Sequence, residues 1–328
     1  MEHPVQRTRY KEQEHFEPWK RACERRPDLD RFCSSPLWGV PLNEAFSGSI
    51  PIYVYTDLGA PGELAFFTER RVRGGVLVMP VDGMWLLGTP ILSPDPQAFL
   101  SRLVKYWAHH PVEGVRQVMV SGLYPENPLN GSEVWSRLHA WNAEPSGRMV
   151  ASLEGGLDGF MGRRSKNFRS RLRRTVKAAS RDGFEVEYMP ETLTQDASRE
   201  LMHRVFSIEE RSWKGQAGRG IDSGGMRRFY ELMVPRLAAE GRLRGVFLTR
   251  EGRDAAYLFG AFFDRYFRGL QFSYQAEEDL GLGNVCQYHM IERLVEEGCT
   301  HYDLGQAMKY KSRWAEEEIQ SFTHVFQI

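Results

Sequence analysis

The segment Gln271-Phe-Ser-Tyr-Gln-Ala-Glu-Glu-Asp-Leu-Gly-Leu-Gly-Asn284 leads from a strand pattern into a helix pattern. Two apolar runs with strand character, residues 245–248 and 255–263, precede it, and residues 285–297 follow with apolar positions at helical spacing. A short strand is predicted over residues 301–304. A glycine loop that ends a strand and opens a helix leaves backbone N–H groups free at the positive end of the helix dipole, which predicts an anion site.

The glycines of this segment have two explanations. They form either a tight turn alone or a loop that holds an anion. The lysine and Ser/Thr of an NTPase phosphate loop are absent, and so is the third glycine of the dinucleotide fingerprint. The pattern that the segment fits is Glu278-x-x-Gly281-x-Gly283.

Composition sets limits on the class of protein. The chain has 328 residues, enough for two domains, and carries 43 basic and 43 acidic side chains, so any basic surface must be local. A run of about 18 apolar residues is lacking, which argues against a membrane span, and the charged N-terminus does not resemble a secretory signal. The four cysteines are scattered without a Cys-x-x-Cys pair, and the two at 286 and 299 are predicted to be buried free thiols, as expected of a reduced, cytoplasmic protein. The histidines lack metal-ligand spacing, so we predict no metal.

Both halves of the chain show hairpins followed by β-α units, which predicts a mixed α/β fold built from two copies of one domain. We place the first domain at residues 1–152, with one of its strands at 85–87, and the second at residues 153–328. Only the second has the glycine loop. We therefore assign a donor-binding loop to residues 278–284 and expect the C-terminal run 319–328 to close the sheet of the second domain.

Residues 163–181 are the most basic part of the chain, with nine Arg or Lys among nineteen residues and no acid. Apolar residues at 168, 172, 176 and 179 predict an amphipathic helix with one basic face. This face has three interpretations: a solvated surface, a docking surface for an anionic acceptor such as a nucleotide-sugar or phospholipid intermediate, or a contact to the tRNA acceptor stem. Arg169 and Arg173 are its candidate substrate-binding residues.

Residues from about 150 to 314 resemble the CelD-like acetyltransferase group of the GNAT superfamily, which is related to the Fem-type aminoacyltransferases. The resemblance rests on elements that recur in order, which are Ser165-Lys-Asn-Phe-Arg-Ser-Arg-Leu-Arg-Arg174, Glu210-Arg-Ser-Trp-Lys-Gly215, Tyr302-Asp-Leu-Gly305 and Tyr310-Lys-Ser-Arg-Trp314. It implies two GNAT-like domains, each with a mixed, mostly antiparallel sheet flanked by helices. It further implies that the strand backbone at Ser273 and Tyr274 holds an acyl arm, and that Gly281, Leu282, Gly283 and Asn284 hold the pyrophosphate of an acyl-CoA.

A GNAT-type transfer is a direct attack by an amine on a thioester, so it needs a base, a polarised carbonyl and an acid for the departing thiolate. Tyr310 is the candidate acid, with a core or rim tyrosine as the alternative. Glu210 is the candidate base, with an ordinary helix-surface acid as the alternative. Lys311 and Trp213 are candidates for substrate binding, and Asp303 is expected to orient the loop.

The leading hypothesis is an N-acyltransferase that moves an acyl group from acetyl-CoA or another acyl-CoA to an amine of a small or envelope- or polysaccharide-precursor substrate. The alternative is a Fem-type transferase that uses aminoacyl-tRNA. It is favoured by the two-domain layout, by the basic segment and by Glu278, which replaces the neutral or basic residue of the GNAT pattern. A third hypothesis is a non-catalytic module that binds an anionic surface. The acceptor and the oligomeric state stay open.

Overall fold

A computed structural model describes residues 4–48, 50–276 and 280–328 of the chain. The chain divides into two compact units. The first consists of residues 1–146 and 320–328, and the second consists of residues 147–319. Glu278 and the beginning of the predicted donor loop lie outside the described residues. Among the described residues, no helix is both long and apolar enough to cross a membrane.

The first unit is a mixed sheet with helices. Its strands are β1 (Val5–Arg9), β2 (Ile52–Asp57), β3 (Leu64–Val72), β4 (Gly75–Pro80), β5 (Ile91–Leu92), β6 (Val115–Leu123), β7 (Trp141–Asn142) and the greater part of β14 (Glu317–Gln327). Its helices are α1 (Glu12–Glu24), α2 (Pro36–Phe46), α3 (Pro96–His109) and α4 (Val134–Arg137). The main sheet has the order β1-β2-β3-β4-β6-β14, in which only β4 and β6 run parallel. The apolar face of α3 supplies Phe99, Leu103 and Trp107 to the core.

Two predictions about this unit are wrong. Residues 85–87 are not a strand, because the buried Asp82 carboxylate accepts hydrogen bonds from the N–H groups of Trp85 and Leu87 and shapes a turn in which Leu86 has φ 57°. Most of the C-terminal run belongs to the first unit, not to the second. Residues 322–327 pair with β6 of the first unit, where Phe326 is buried in the core.

The second unit contains the glycine segment. Its strands are β8 (Ser146–Ser152), β9 (Phe184–Tyr188), β10 (Leu243–Arg250), β11 (Arg253–Phe263), β12 (Tyr266–Tyr274) and β13 (His301–Gln306). Its helices are α5 (Gly156–Gly162), α6 (Lys166–Arg181), α7 (Gln195–Glu210), α8 (Trp213–Gln216), α9 (Gly224–Ala239), α10 (Leu282–Glu296) and a 3-10 turn over Lys311–Arg313. The sheet order is β8-β13-β12-β11-β10-β9, in which only β12 and β13 run parallel.

The boundary between the units lies six residues before the predicted one. Strand β8 belongs to the second unit, because Ala151 and Val150 pair with Tyr302 and Asp303 of β13. The mixed α/β class and the two units with mostly antiparallel strand pairing agree with the sequence prediction.

Helices pack on both faces of the second sheet. On one face, α10 lies beside α6, whose N-terminus is capped by Ser165 Oγ, which accepts a hydrogen bond from the Phe168 N–H. Leu172 and Ala179 of α6 are buried there, so the predicted amphipathic helix is confirmed. On the opposite face, α7 and α9 pack together, and their aromatic and acidic side chains meet Tyr257 and Phe259 of β11. The site described next uses both faces.

Candidate active site

The two parallel strands of the second sheet separate partway along their length. Strands β12 and β13 pair over three residues, the last pair being Arg268 with Asp303. Strand β12 continues to Tyr274, and within the described residues its pairing with β13 does not continue past that point. Because a parallel strand that loses its neighbour exposes backbone N–H and C=O groups along one edge, the strand opening between β12 and β13 is available to an extended ligand.

Two buried or half-buried lysines bond to the strands that border this opening. The ammonium group of Lys214 donates a hydrogen bond of 2.6 Å to the carbonyl of Phe272 on β12. The ammonium group of Lys311 donates one of 2.9 Å to the carbonyl of Gln306 at the end of β13. Burial lowers the pKa of Lys214. Burial also lowers the pKa of Lys311, to about 8. The charge of Asp303 opposes this second shift, and the charges of Arg268 and Lys214 add to it. The two ammonium groups therefore lie within electrostatic range of each other.

Asp303 holds the ends of the paired strands together. It is fully buried and accepts hydrogen bonds from Arg148 at 2.7 Å, from Arg268 at 2.5 Å and from the Tyr266 hydroxyl at 3.0 Å. Its other oxygen accepts one from the Gly305 N–H at 2.7 Å, so the expectation that it orients the loop is confirmed. One carboxylate faces two guanidinium groups, which leaves this end of the opening positively charged.

The predicted anion site lies at the N-terminus of α10. Gly281 has φ 68°, in the left-handed region that favours glycine, and caps the helix without a side-chain hydrogen bond. A Cβ at Gly283 would lie 3.0 Å from the Phe272 ring and 3.4 Å from Tyr274, so the helix start packs closely on β12. Leu282 is buried in the core and offers only its backbone.

A cavity of about 130 Å³ adjoins this helix start. It is lined by Phe168, Arg171, Leu172, Thr175, Asn284, Tyr310, Arg313 and Trp314. The predicted residues Asn284 and Tyr310 therefore meet in one cavity, and α6 adds the cation of Arg171. Partial burial raises the pKa of Tyr310, whose side chain is 43% exposed, so its hydroxyl is protonated at neutral pH.

On the opposite face of the sheet, a carboxylate lies in the core. Glu209 ends the buried stripe of α7, is 0% exposed, and accepts a hydrogen bond of 2.9 Å at Oε2 from the Tyr257 hydroxyl. Tyr257 stands opposite Ser273 in the β11–β12 ladder, so their side chains share this face. The Ser273 hydroxyl is buried and has no hydrogen-bond partner among the described residues. Burial, followed by the Glu209 charge, raises the pKa of Tyr257 well above its ordinary value.

The remaining predicted residues lie apart from these groups. Glu210 points to solvent. Trp213 is 52% exposed at the start of α8. Arg169 turns toward the C-terminus of α5, where its guanidinium lies 3.4 Å from the Met161 carbonyl, and Arg173 is exposed on α6. The structure thus brings Tyr310, Lys311, Tyr274 and Gly281–Asn284 to one region and leaves these four outside it.

Several residues of the site were not predicted. Glu209 could have been found, because it follows Val205 by four residues and Met202 by seven and so falls on the apolar face of the helix. Arg171 alternates with Arg169 and Arg173 in a uniformly basic run, and sequence alone does not rank the three. Lys214 lies in a segment without periodicity. Among the described residues, no group of three or more His, Cys, Asp and Glu is placed to hold a metal ion.

Comparisons with known proteins agree with this architecture. Residues 166–312 match the family model of the acetyltransferase (GNAT) domain. No curated protein matches the chain significantly by sequence. FemX is a similar solved structure, with a TM-score of 0.65, 11% identity and 96% of each chain covered. A conserved protein of unknown function from Bacteroides thetaiotaomicron has a TM-score of 0.64 and 12% identity, with 95% of this chain and 96% of that chain covered. A tandem GNAT protein from the clavulanic acid biosynthesis pathway has a TM-score of 0.50 and 10% identity, with 98% of each chain covered. At these identities the likeness is one of fold.

Proposed function

We propose that this chain, in which residues 166–312 match the family model of the acetyltransferase (GNAT) domain, is a GNAT-type acyltransferase that transfers an acyl group from an acyl-CoA to a primary amine. The observation that carries the proposal is the strand opening, which lies next to the N-terminus of α10 and its cationic cavity. We infer that the donor site lies in the second unit and that the first unit lacks one.

The donor fits this region in two parts. The extended pantetheine arm would run along the free edge of β12 near Ser273 and Tyr274. The pyrophosphate would lie at the backbone N–H groups of residues 281–284, where the helix dipole, Asn284 and the Arg171 guanidinium attract anions.

The cations at the opening suit the transition state of acyl transfer. Attack on a thioester carbonyl places negative charge on its oxygen, and preorganised ammonium groups in a site with little water stabilise that charge strongly. Lys214 and Lys311 are the candidates for this role. Tyr310, with its raised pKa, would give its proton to the departing thiolate.

A Fem-type transfer from aminoacyl-tRNA is the second candidate. It is favoured by the exposed cations of α6, among them Arg171, Arg173 and Arg174, because arginine contacts to backbone phosphates supply affinity for RNA without sequence readout. The same lysines would then act on the carbonyl of an aminoacyl ester. In either case the acceptor we favour is an amine of a small molecule or of a cell-envelope or polysaccharide precursor, and we expect the protein to act in the cytoplasm.

Thermal unfolding in the presence of acetyl-CoA, longer acyl-CoAs, free CoA and tRNA separates the two donors. A ligand at 100 times its Kd stabilises the folded state by about 2.7 kcal/mol, which is measurable as a higher Tm. We expect the acyl-CoAs and CoA to raise the Tm of the wild-type protein. A shift with tRNA alone, with affinity that falls steeply as salt rises, would instead support the second candidate.

A matched pair of variants tests the place of the donor. Arg171→Gln removes the cation that lines the cavity, whereas Arg174→Gln removes an exposed cation of the same helix that does not line it. We expect the first to weaken CoA binding about tenfold and the second to leave it nearly unchanged. Equal effects of the two variants would place the donor elsewhere. Release of free thiol from acetyl-CoA with a panel of primary amines then measures the transfer itself.

A further inference from the structure

We propose that the first unit binds an aliphatic carboxylate, such as a free medium-chain fatty acid, in a cavity of about 300 Å³ beside the C-terminal end of α2. The hydrocarbon chain would lie in the cavity, and the carboxylate would pair with Arg70 on β3. The site shares no residue with the donor region of the second unit, so this inference does not rest on the proposed acyl transfer.

The cavity has the size and the lining of a small-molecule site. Ligand pockets measure about 300–1,000 Å³ and are lined mainly by apolar side chains with a few polar groups. Three polar side chains line this one, those of Ser47, Thr68 and Arg70. The apolar side chains that line it are Leu42, Phe46, Met79, Pro80, Val81 and Met84. None of the described lining residues is acidic, so the arginine supplies the one full charge of the cavity.

The strand register brings the polar and apolar walls of the cavity together. Thr68 and Arg70 are two residues apart on β3, so their side chains leave the same face of the sheet. Met79 of β4 pairs with Thr68 and therefore shares that face. Helix α2 lines the cavity with Leu42 and Phe46, which are four residues apart and lie on one side of the helix. The cavity is thus built from regular elements whose positions the core fixes.

Arg70 lacks an anionic partner. Its Nη2 donates a hydrogen bond of 2.5 Å to Ser47 Oγ, whereas its Nε is buried and has no hydrogen-bond partner among the described residues. By contrast, Arg7, Arg26 and Arg102 of the same unit each form an ion pair with a carboxylate. Removing a cation from water without pairing it is unfavourable. An anion supplied by a ligand would compensate the charge of Arg70.

The chemistry of this corner fits a carboxylate. A guanidinium presents its N–H groups in a planar fork that matches the two oxygens of a carboxylate. The Ser47 hydroxyl accepts the hydrogen bond from Arg70, and its own proton is available to a ligand oxygen. A phosphate dianion would keep an uncompensated charge beside a single cation. The apolar walls then favour a carboxylate with a hydrocarbon chain over a small anion, because the chain is removed from water.

The turn after β4 forms the mouth of the cavity. The buried Asp82 carboxylate, which shapes this turn, brings Gly83 and Met84 to the cavity, and Met84 is 51% exposed. A Cβ at Gly83 would lie 2.8 Å from the Met79 Cε, so the bare backbone keeps this place open. Methionine side chains are flexible and polarisable, and they adapt to apolar ligands of different shape. The chain would therefore enter past Met84.

Titration calorimetry with sodium octanoate tests the proposal, with 1-octanol as the neutral control and acetate as the control without a chain. We expect octanoate to bind the wild-type protein at least about tenfold more tightly than either control. Saturating CoA should leave the Kd for octanoate unchanged. Competition between CoA and octanoate would place octanoate in the donor region and overturn the proposal. The response to CoA alone tests the proposed function, so the two proposals fail separately.

A matched pair of variants tests the role of Arg70. Arg70→Met keeps a long apolar side chain and removes the charge, so the Kd for octanoate should rise at least about tenfold while that for octanol stays nearly unchanged. Arg71→Met removes the exposed neighbouring cation on the opposite face of β3 and should not change either Kd.

A second cavity variant keeps the test decisive if Arg70→Met folds poorly. Ser47→Ala removes the other donor to the carboxylate and should weaken octanoate binding severalfold. The proposal is overturned if octanoate binds no more tightly than octanol or acetate. It is also overturned if Arg71→Met weakens octanoate binding as much as Arg70→Met does, or if both cavity variants keep the wild-type Kd.

Discussion

The buried charge of Lys311 lowers the free energy of unfolding by a measurable amount. Its pKa falls from the ordinary 10.5 to about 8, so below about pH 8 the folded protein holds a proton that burial disfavours. The unfolded chain binds more protons between these two values, so stability rises with pH across this window. At about 1.4 kcal/mol per pKa unit, the cost of the charge at neutral pH is roughly 3 kcal/mol.

We therefore expect Lys311→Met to raise the free energy of unfolding at pH 7 by up to about 3 kcal/mol while lowering transfer activity. The gain should shrink from about pH 8 upward and vanish above about pH 10.5, where the lysine is neutral in both states. Denaturant unfolding at a series of pH values measures it. Lys309→Met, two residues earlier and exposed, is the control and should show no such gain.

Tyr310 is tested by removing only its hydroxyl. Tyr310→Phe keeps the ring on the cavity wall, so the Kd for CoA should stay within about twofold while kcat falls about 100-fold. Tyr188→Phe is a suitable control, because Tyr188 on β9 is similarly exposed (42%) and its pKa is also raised by burial, yet it does not line the cavity. A fall in kcat of equal size in both variants would remove Tyr310 from the mechanism.

At this scale the sequence identified residue types better than individual positions. The sequence analysis named Glu210 as the candidate base, with a helix-surface acid as the alternative; in the structure Glu210 is exposed and its neighbour Glu209 is buried. The helical period distinguishes the two, since one residue turns the side chain by about 100° and moves it from the core to solvent. The position of Lys214 in the site could not be predicted from the sequence, because the carbonyl to which it donates, that of Phe272, is 58 residues away in the chain.

Helix α10 and the strand before it are the element that the sequence predicted best. The order of strand, glycine loop and helix was predicted correctly, because local signals define it, namely apolar periodicity and a glycine after the last helical turn. By contrast, the turn over residues 85–87 was missed, because its conformation depends on hydrogen bonds from the buried Asp82 side chain. Side-chain control of the backbone is invisible to a pattern of apolar residues.

The two ends of α10 should respond differently to substitution. Gly283→Val places methyl groups against the Phe272 ring and should displace the helix start, which weakens CoA binding at least about tenfold and lowers stability by about 1–3 kcal/mol. Gly298→Ala strains a left-handed residue with open space around it, at φ 75° after the helix, and should cost about 1 kcal/mol without affecting CoA binding. Thermal shift with and without CoA measures both. Weakened binding in Gly298→Ala would mean that overall stability, not the helix start, governs the donor site.

At the scale of the whole molecule, the C-terminal strand was assigned to the wrong unit because its partner is distant in sequence. Strand character over residues 319–328 was predicted correctly. The strand with which this run pairs depends on which sheet edge is free and on which core has space for its side chains. Val325 pairs with Met119 of β6, about 200 residues earlier, and such long-range pairing leaves no local signal.

This assignment predicts how the two units respond to core cavities. Phe326 is fully buried in the core of the first unit, so Phe326→Ala should destabilise that unit by about 3–5 kcal/mol. In hydrogen exchange, protection should then fall in β2, β3 and β6, while β10, β11 and α10 keep theirs and CoA still raises their protection. Leu294→Ala, a buried position of α10 in the second unit, should do the reverse and weaken the response to CoA. Equal loss of protection in both units from Phe326→Ala would show that they unfold as one cooperative body, because only shared unfolding carries a core defect of one unit into the other.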